Sequence, residues 1–171
     1  MSTATLLPDT PQELRNKALV IGRGNALNKG LWNRLVIRIT KDLEFQQKFG
    51  TESEDIQRLW AEILLDQAVG FLLLCGKDTG NAHAPSPLVD IAWHAFILYT
   101  QDYMRFCEKM VGFYIHHVPD DEAPAPEGRH YVEATVERMK IVGISVIEAA
   151  WPGRAGCHLR CTEVKCKWVD R

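Results

Sequence analysis

Several common sequence signals are absent from this chain of 171 residues. Its charges nearly balance, with a net charge of -2 and a pI near 6.3, so it lacks the basic excess typical of nucleic-acid-binding proteins. Its first residues lack the basic start and apolar run of a signal peptide, and we find no stretch of the roughly 18 apolar residues that would span a bilayer. We therefore expect a cytoplasmic protein with no nucleic-acid partner and no membrane partner.

Motifs for nucleotide binding and for nucleophilic catalysis are absent as well. The glycines of GRGNALNKG, residues 22–30, have neither the spacing nor the preceding strand of a phosphate loop. No G-x-S-x-G or Cys/His nucleophile pattern is present. We expect no nucleotide cofactor, and whether the protein is an enzyme stays open.

The patterns that are present are helical. Apolar residues recur at helical spacing, and no segment shows the sustained alternation of a sheet strand. A chain of this length fits one domain, which would bury roughly 70% of the surface that the unfolded chain exposes. We predict an all-α protein: a single compact multi-helix domain over residues 1–150, followed by a short Cys/His-rich tail over residues 151–171.

Capping residues and glycines suggest where the helices begin and end. Thr51 to Glu54 has the spacing of a capping box, and Ser86-Pro87 provides an N-cap followed by a proline at the first helical position. The predicted helices are 12–21, 31–49, 54–75, a central buried helix at about 87–110, and 130–142.

The central helix carries a carboxylate and an imidazole one turn apart, at Asp90 and His94. On a helical wheel these two residues share a narrow polar stripe with Gln101, Arg105 and Glu108, and most of the remaining circumference is apolar. A carboxylate at this spacing can share a metal ion with the imidazole or orient its ring. It can also form an ordinary i,i+4 pair without further function.

A second pair of histidines follows the predicted helix. FYIHHV, residues 113–118, looks extended, so successive side chains point to opposite sides and His117 is the better candidate to face inward, with His116 as the alternative. Two histidines and one carboxylate with open coordination positions suit zinc, iron or copper. The predicted metal ligands are therefore His94, His117 and Asp90.

These residues also resemble a known family. The pattern Asp90-x-x-Trp93-His94, followed by Tyr103, Gly112 and His117, is similar to the glycine-rich-domain-containing-protein-like family, in particular to small bacterial members that end in a cysteine-rich tail. The resemblance covers about the middle third of the chain. It implies a fold and a candidate site at these residues, and it leaves the activity open.

The tail offers a second candidate metal site. Cys157, His158, Cys161 and Cys166 provide enough ligands for a Cys3His zinc site or a thiolate copper(I) site. The gaps of three and four residues differ from the two-residue gaps of zinc knuckles, so incidental thiols are the alternative. A third alternative is that the tail closes over the His94 site.

The remaining cysteines and histidines have simpler interpretations. We expect Cys75 and Cys107 to be small core residues, and His83 and His130 to be solvated in or beside loops.

Two functions follow for the whole chain. The first is a small cytosolic metal-binding protein, with metal-dependent catalysis left open, which acts on an unidentified small molecule. The second is a non-catalytic helical interaction module whose tail binds a protein partner or a metal.

Overall fold

Helices make up most of residues 26–117 and 131–152, which are the parts of the chain that this computed structural model describes. No strand occurs within these residues, and the prediction of an all-α domain is confirmed. The elements are α1 (Lys29–Ile39), α2 (Leu43–Phe49), α3 (Glu54–Lys77), α4 (Pro87–Ile97), α5 (Thr100–Phe106), a π-helix (Cys107–Val111), α6 (Tyr131–Ile141) and a 3-10 helix (Glu148–Ala150). The helix predicted at 12–21 and the cysteines of the tail lie outside the described residues.

Helix α3 lies at the centre of the domain and packs against α1, α4, α6 and the π-helix. Its N-cap is Ser53, whose side chain accepts a hydrogen bond from the Ile56 amide, rather than Thr51 of the predicted capping box. Near its end, a Cβ atom added at Gly76 would lie 3.1 Å from the backbone of Val111. The absence of a side chain at Gly76 therefore lets α3 approach the π-helix closely.

The expectation that no stretch is long and apolar enough to span a bilayer is wrong for helix α3. By length and composition alone α3 passes that test, but 83% of its apolar window is buried inside the domain. The helix is apolar because it has protein on most sides.

The helix predicted at 31–49 is two helices. Helix α1 ends at Ile39 with Thr40 as its C-cap, and the Asp42 side chain caps α2 by accepting hydrogen bonds from the amides of Glu44 and Phe45. Aspartate is among the best N-cap residues, because its carboxylate accepts from amides that have no partner in the first turn. The Asp42 cap therefore begins a new helix, although the helical pattern of the sequence continues through residues 31–49.

The central helix predicted at 87–110 begins as expected, with Ser86 as N-cap and Pro87 at the first position, but it has three segments. Helix α4 ends at Ile97 with Leu98 as its C-cap, and Tyr99 leaves the helical region with φ -90° and ψ 60° before α5 begins. The chain then continues into the π-helix.

This break ends the polar stripe predicted for the whole segment. Asp90 and His94 share a face because both lie on α4, whereas Gln101, Arg105 and Glu108 follow the break and are exposed. The buried surroundings predicted for this segment are nevertheless present, since most apolar residues of α4 and α5 belong to the core.

A buried glutamine joins α3 to the last described residues. The Gln67 side chain is fully buried, and its carbonyl oxygen accepts hydrogen bonds from the Ile147 amide at 3.0 Å and from Trp151 Nε1 at 2.8 Å. Its amide group donates to the Ser145 carbonyl at 3.2 Å. Trp151, where the tail was predicted to begin, packs into the core.

His83 was expected to be solvated, and this expectation is wrong. Its side chain is 3% exposed, and Nε2 lies 3.2 Å from a carboxylate oxygen of Asp78. The same carboxylate accepts hydrogen bonds of 2.7 Å from Arg138 and from Asn81. The Arg138 hydrogen bond lowers the pKa of Asp78, although burial opposes this shift. The cluster joins the end of α3 to α6, and His130 lies outside the described residues.

Candidate metal centre

Helix α4 provides the first two polar groups of the site. Asp90 and His94 are one turn apart, and Asp90 Oδ2 lies 3.4 Å from His94 Nε2. The Asp90 side chain is 8% exposed, whereas that of His94 is 52% exposed. The site therefore has a buried carboxylate at its base and an imidazole that is open to solvent.

A left-handed turn returns the chain to α4. Gly112 has φ 95°, a conformation that glycine adopts without strain, and its amide donates to the Cys107 carbonyl at 2.8 Å. A single π-helical turn of this kind is rare in proteins, and where one occurs it often lies at a functional site. Residues 113–117 then run back along the protein and place Ile115 in the core.

Two buried side chains fix the position of this returning segment. Trp93 Nε1 donates to the Tyr103 hydroxyl at 3.0 Å, and that hydroxyl donates to the Ile115 carbonyl at 2.8 Å. The side chains of Trp93 and Tyr103 are almost completely buried. Because Ile115 is two residues from His117, these hydrogen bonds determine where the His117 ring lies.

The structure brings His117 into contact with both Asp90 and His94. His117 Nε2 lies 2.8 Å from His94 Nε2 and 3.1 Å from Asp90 Oδ1. The His117 ring also packs on Trp93, with ring centroids 4.6 Å apart. His116 is exposed, and its ring lies against Tyr114.

These three residues lie close enough together to hold one metal ion. A ligand atom from each of Asp90, His94 and His117 lies within 4.8 Å of the others. Nitrogen and oxygen ligands lie about 2.0–2.2 Å from zinc, so neighbouring ligands in a tetrahedral site are roughly 3.3–3.6 Å apart. The contact of 3.4 Å between His94 Nε2 and Asp90 Oδ2 falls within this range. The contacts of His117 Nε2 with His94 Nε2 at 2.8 Å and with the other Asp90 oxygen at 3.1 Å are shorter and have hydrogen-bond length. The cluster is thus able to hold a metal ion.

The cysteines divide into two groups. Cys75 and Cys107 are buried thiols, as expected for small core residues. The predicted tail ligands Cys157, His158, Cys161 and Cys166 lie outside the described residues, so their role stays a prediction.

Comparison with known proteins identifies the family. The family model described as UCP032817-like matches residues 37–131, which is more than half of the chain. The chain belongs to the UCP032817-like family. The match includes Asp90, His94 and His117, so the site lies within the family's domain. No curated protein and no solved structure matched the chain.

This finding corrects the resemblance drawn from the sequence. The glycine-rich-domain-containing-protein-like family is not the family that matches, and the expectation of membership there is wrong. The D-x-x-W-H pattern and the downstream histidine are too short to distinguish one helical family from another.

Proposed function

We propose that this UCP032817-like protein is a small metal-binding protein that holds one zinc, iron or copper ion through His94, His117 and Asp90. The convergence of both Nε2 atoms and the Asp90 carboxylate carries this proposal. Three protein ligands leave at least one coordination position open, as in catalytic metal sites. We therefore propose that the protein is a metal-dependent enzyme.

The gradient of burial across the site supports catalysis over a purely structural role. Structural zinc sites usually have four protein ligands, whereas catalytic sites keep one position for water or substrate. The base of the cluster is closed by Asp90 and Trp93, and its outer edge is the half-exposed ring of His94. A small molecule can approach from the His94 side without any rearrangement of the core.

Each residue of the cluster has a distinct part in this proposal. The buried Asp90 carboxylate faces His117 with one oxygen and His94 with the other, and it provides the negative charge that a cation requires. His117 is held by its contact with Trp93, which limits its rotation. A bound cation would supply Lewis acidity and would activate water near neutral pH.

We also propose that the protein acts in the cytoplasm. The chain has five cysteines, an odd number that cannot pair completely within one molecule, and reducing compartments favour free thiols.

Metal content after purification without an affinity tag tests the proposed function. We expect about one zinc, iron or copper ion per chain in the wild type, and loss of that metal in the variants His94→Ala and His117→Ala. His116→Ala is the matched control, because it removes a neighbouring exposed histidine, and it should keep the metal. Circular dichroism would verify that each variant is folded.

A further variant separates this site from the cysteine tail. Replacement of Cys157, Cys161 and Cys166 by serine in the full chain should leave the metal content unchanged. Loss of all metal in this variant, together with full retention in His94→Ala, would contradict the proposal and would assign the metal to the tail.

A further inference from the structure

A cavity of about 370 Å³ lies directly beside the proposed metal site. It is lined by residues at the end of α1, the start of α2 and the end of α4, and His94 is one of them. Its volume falls in the range of pockets that bind small molecules. His94 therefore belongs both to the metal-binding cluster and to the cavity.

One part of the cavity wall is apolar and exposed. Ile37, Leu43 and Leu98 line the cavity, and they are 48%, 72% and 61% exposed. They are three of the six large exposed apolar residues among those that the structure describes. Scattered exposed apolar residues are ordinary, but a group of them around one cavity indicates a ligand with an apolar portion.

Another part of the wall is cationic. Arg38 and Lys41 line the cavity, are exposed, and form no ion pair with the residues that the structure describes. Arg34, also in the wall, pairs with Asp102 at 3.5 Å. The carboxylate of Asp42 is engaged as the N-cap of α2. Asp42 keeps its negative charge, but the two positive charges of Arg38 and Lys41 exceed it, so this part of the wall is net positive.

The carbonyl groups at the end of α1 do not form a cation site next to Arg38 and Lys41. The last carbonyls of a helix carry partial negative charge and attract cations when they have no hydrogen bond. Here all four are hydrogen-bonded. The Thr40 amide donates to the Val36 carbonyl, and the Thr40 hydroxyl donates to the Ile37 carbonyl. The Lys41 amide donates to the Arg38 carbonyl, and the Asp42 amide donates to the Ile39 carbonyl.

We propose that this cavity binds the substrate of the metal site, and that the substrate is a small organic anion with an apolar portion. Its carboxylate or phosphate group lies at Arg38 and Lys41, because these residues provide the available positive charge. Its apolar portion lies on Ile37, Leu43 and Leu98. The group that reacts is brought to the exposed ring of His94; this last part rests on the proposed function.

Hexanoate and its uncharged analogue hexanamide test the binding. Each is titrated into the full-length ¹⁵N-labelled protein, and backbone amide shifts are followed by NMR. We expect hexanoate to produce saturable shifts within residues 37–43 and 94–99, with an affinity about tenfold higher than that of hexanamide. A parallel titration with hexyl phosphate identifies the preferred head group. Shifts absent from these residues with both anions would overturn the proposal.

Charge-matched double variants distinguish the cavity from a general effect of net charge. Arg38→Gln combined with Lys41→Gln should weaken anion binding at least about fivefold. The control combines Lys48→Gln with Lys109→Gln, two exposed lysines outside the cavity wall, and should leave the affinity unchanged. Equal weakening by both double variants would overturn the proposal.

The same titrations separate this proposal from that of the metal site. If metal is present at the His94 cluster but hexanoate and hexyl phosphate do not shift residues 37–43, the cavity proposal fails and the metal site stands. If either anion binds at the cavity in a protein that holds no metal, the cavity binds anions but the proposed function fails. His117→Ala should lose the metal and retain anion binding at Arg38 and Lys41, because His117 is not among the residues that line the cavity.

Discussion

The Nε2 atoms of His94 and His117 lie 2.8 Å apart, and both lie beside the carboxylate of Asp90. Two imidazole nitrogens at this distance cannot both direct lone pairs at each other. Either a proton lies between them, or both direct their lone pairs at a cation to one side of the line that joins them. A proton joins only one pair of atoms by a hydrogen bond. A metal ion satisfies all three residues at once, because each contributes a ligand atom.

The path of the chain explains how these nitrogens meet. The π-helix and Gly112 reverse the chain, and the hydroxyl of Tyr103 then holds the Ile115 carbonyl. The histidines are 23 residues apart in sequence, so their contact depends on this buried hydrogen bond.

Replacement of Tyr103 by phenylalanine should weaken metal binding while keeping the fold. The variant leaves Trp93 Nε1 and the Ile115 carbonyl without their partner, which should cost about 1–3 kcal/mol of stability. Because the His117 segment loses its anchor, zinc affinity should fall about 10- to 100-fold. Urea denaturation measures the first effect and competitive zinc titration the second.

Tyr99→Phe is the control for this variant, since Tyr99 is half-buried outside the returning segment. Its zinc affinity should match that of the wild type. An unchanged zinc affinity in Tyr103→Phe would show that the hydrogen bonds stabilise the fold without positioning His117.

Replacement of Gln67 by leucine should destabilise the protein strongly. The size of the side chain is nearly conserved, but the Ile147 amide and the Trp151 indole lose their acceptor inside the core. Each unpaired buried donor costs about 1–3 kcal/mol, so the free energy of unfolding should fall by at least about 2 kcal/mol. Gln47→Leu, at an exposed position of α2, should change it by less than about 0.5 kcal/mol. A similar effect of both substitutions in urea denaturation would refute this account of Gln67.

Replacement of Asp78 by asparagine should destabilise the protein at neutral pH and much less in acid. The Arg138 hydrogen bond lowers the pKa of Asp78 below its ordinary value of 3.8. A group with a lowered pKa in the folded state contributes stability above its unfolded pKa and loses it as the pH falls through the folded value. Urea denaturation should show the largest difference between variant and wild type at pH 5–7 and a narrowing difference below about pH 4. A difference that stays constant down to pH 3 would contradict the role of the charge.

Much of the fold follows from local sequence, and the end of α4 is an exception with a tertiary cause. The start of α4 was predictable because Ser86-Pro87 is a strong local signal. The end of α4 at Ile97 was not, since no proline or glycine marks it. The break instead accompanies aromatic packing in the core, where the rings of Phe96 and Tyr103 meet edge to face at 5.2 Å.

The candidate site also combines features that the local sequence predicts with features that depend on tertiary contacts. Helical spacing places Asp90 and His94 on one face, and alternation along an extended segment favoured His117 over His116. The returning segment that carries His117 is held by Tyr103, which belongs to the pattern noted in the sequence, but the hydrogen-bond partners of its hydroxyl could not be predicted there. The cavity joins residues 34–43 to residues 94–99, and no local pattern connects segments so far apart.

Competitive zinc titration of the full-length wild type, His117→Ala and His116→Ala is the most direct test of the central claim. We predict one zinc ion per chain in the wild type, an unchanged affinity in His116→Ala, and at least a roughly 100-fold weaker affinity in His117→Ala. A wild type that binds no zinc, iron or copper, or a His117→Ala variant that binds like His116→Ala, would contradict it.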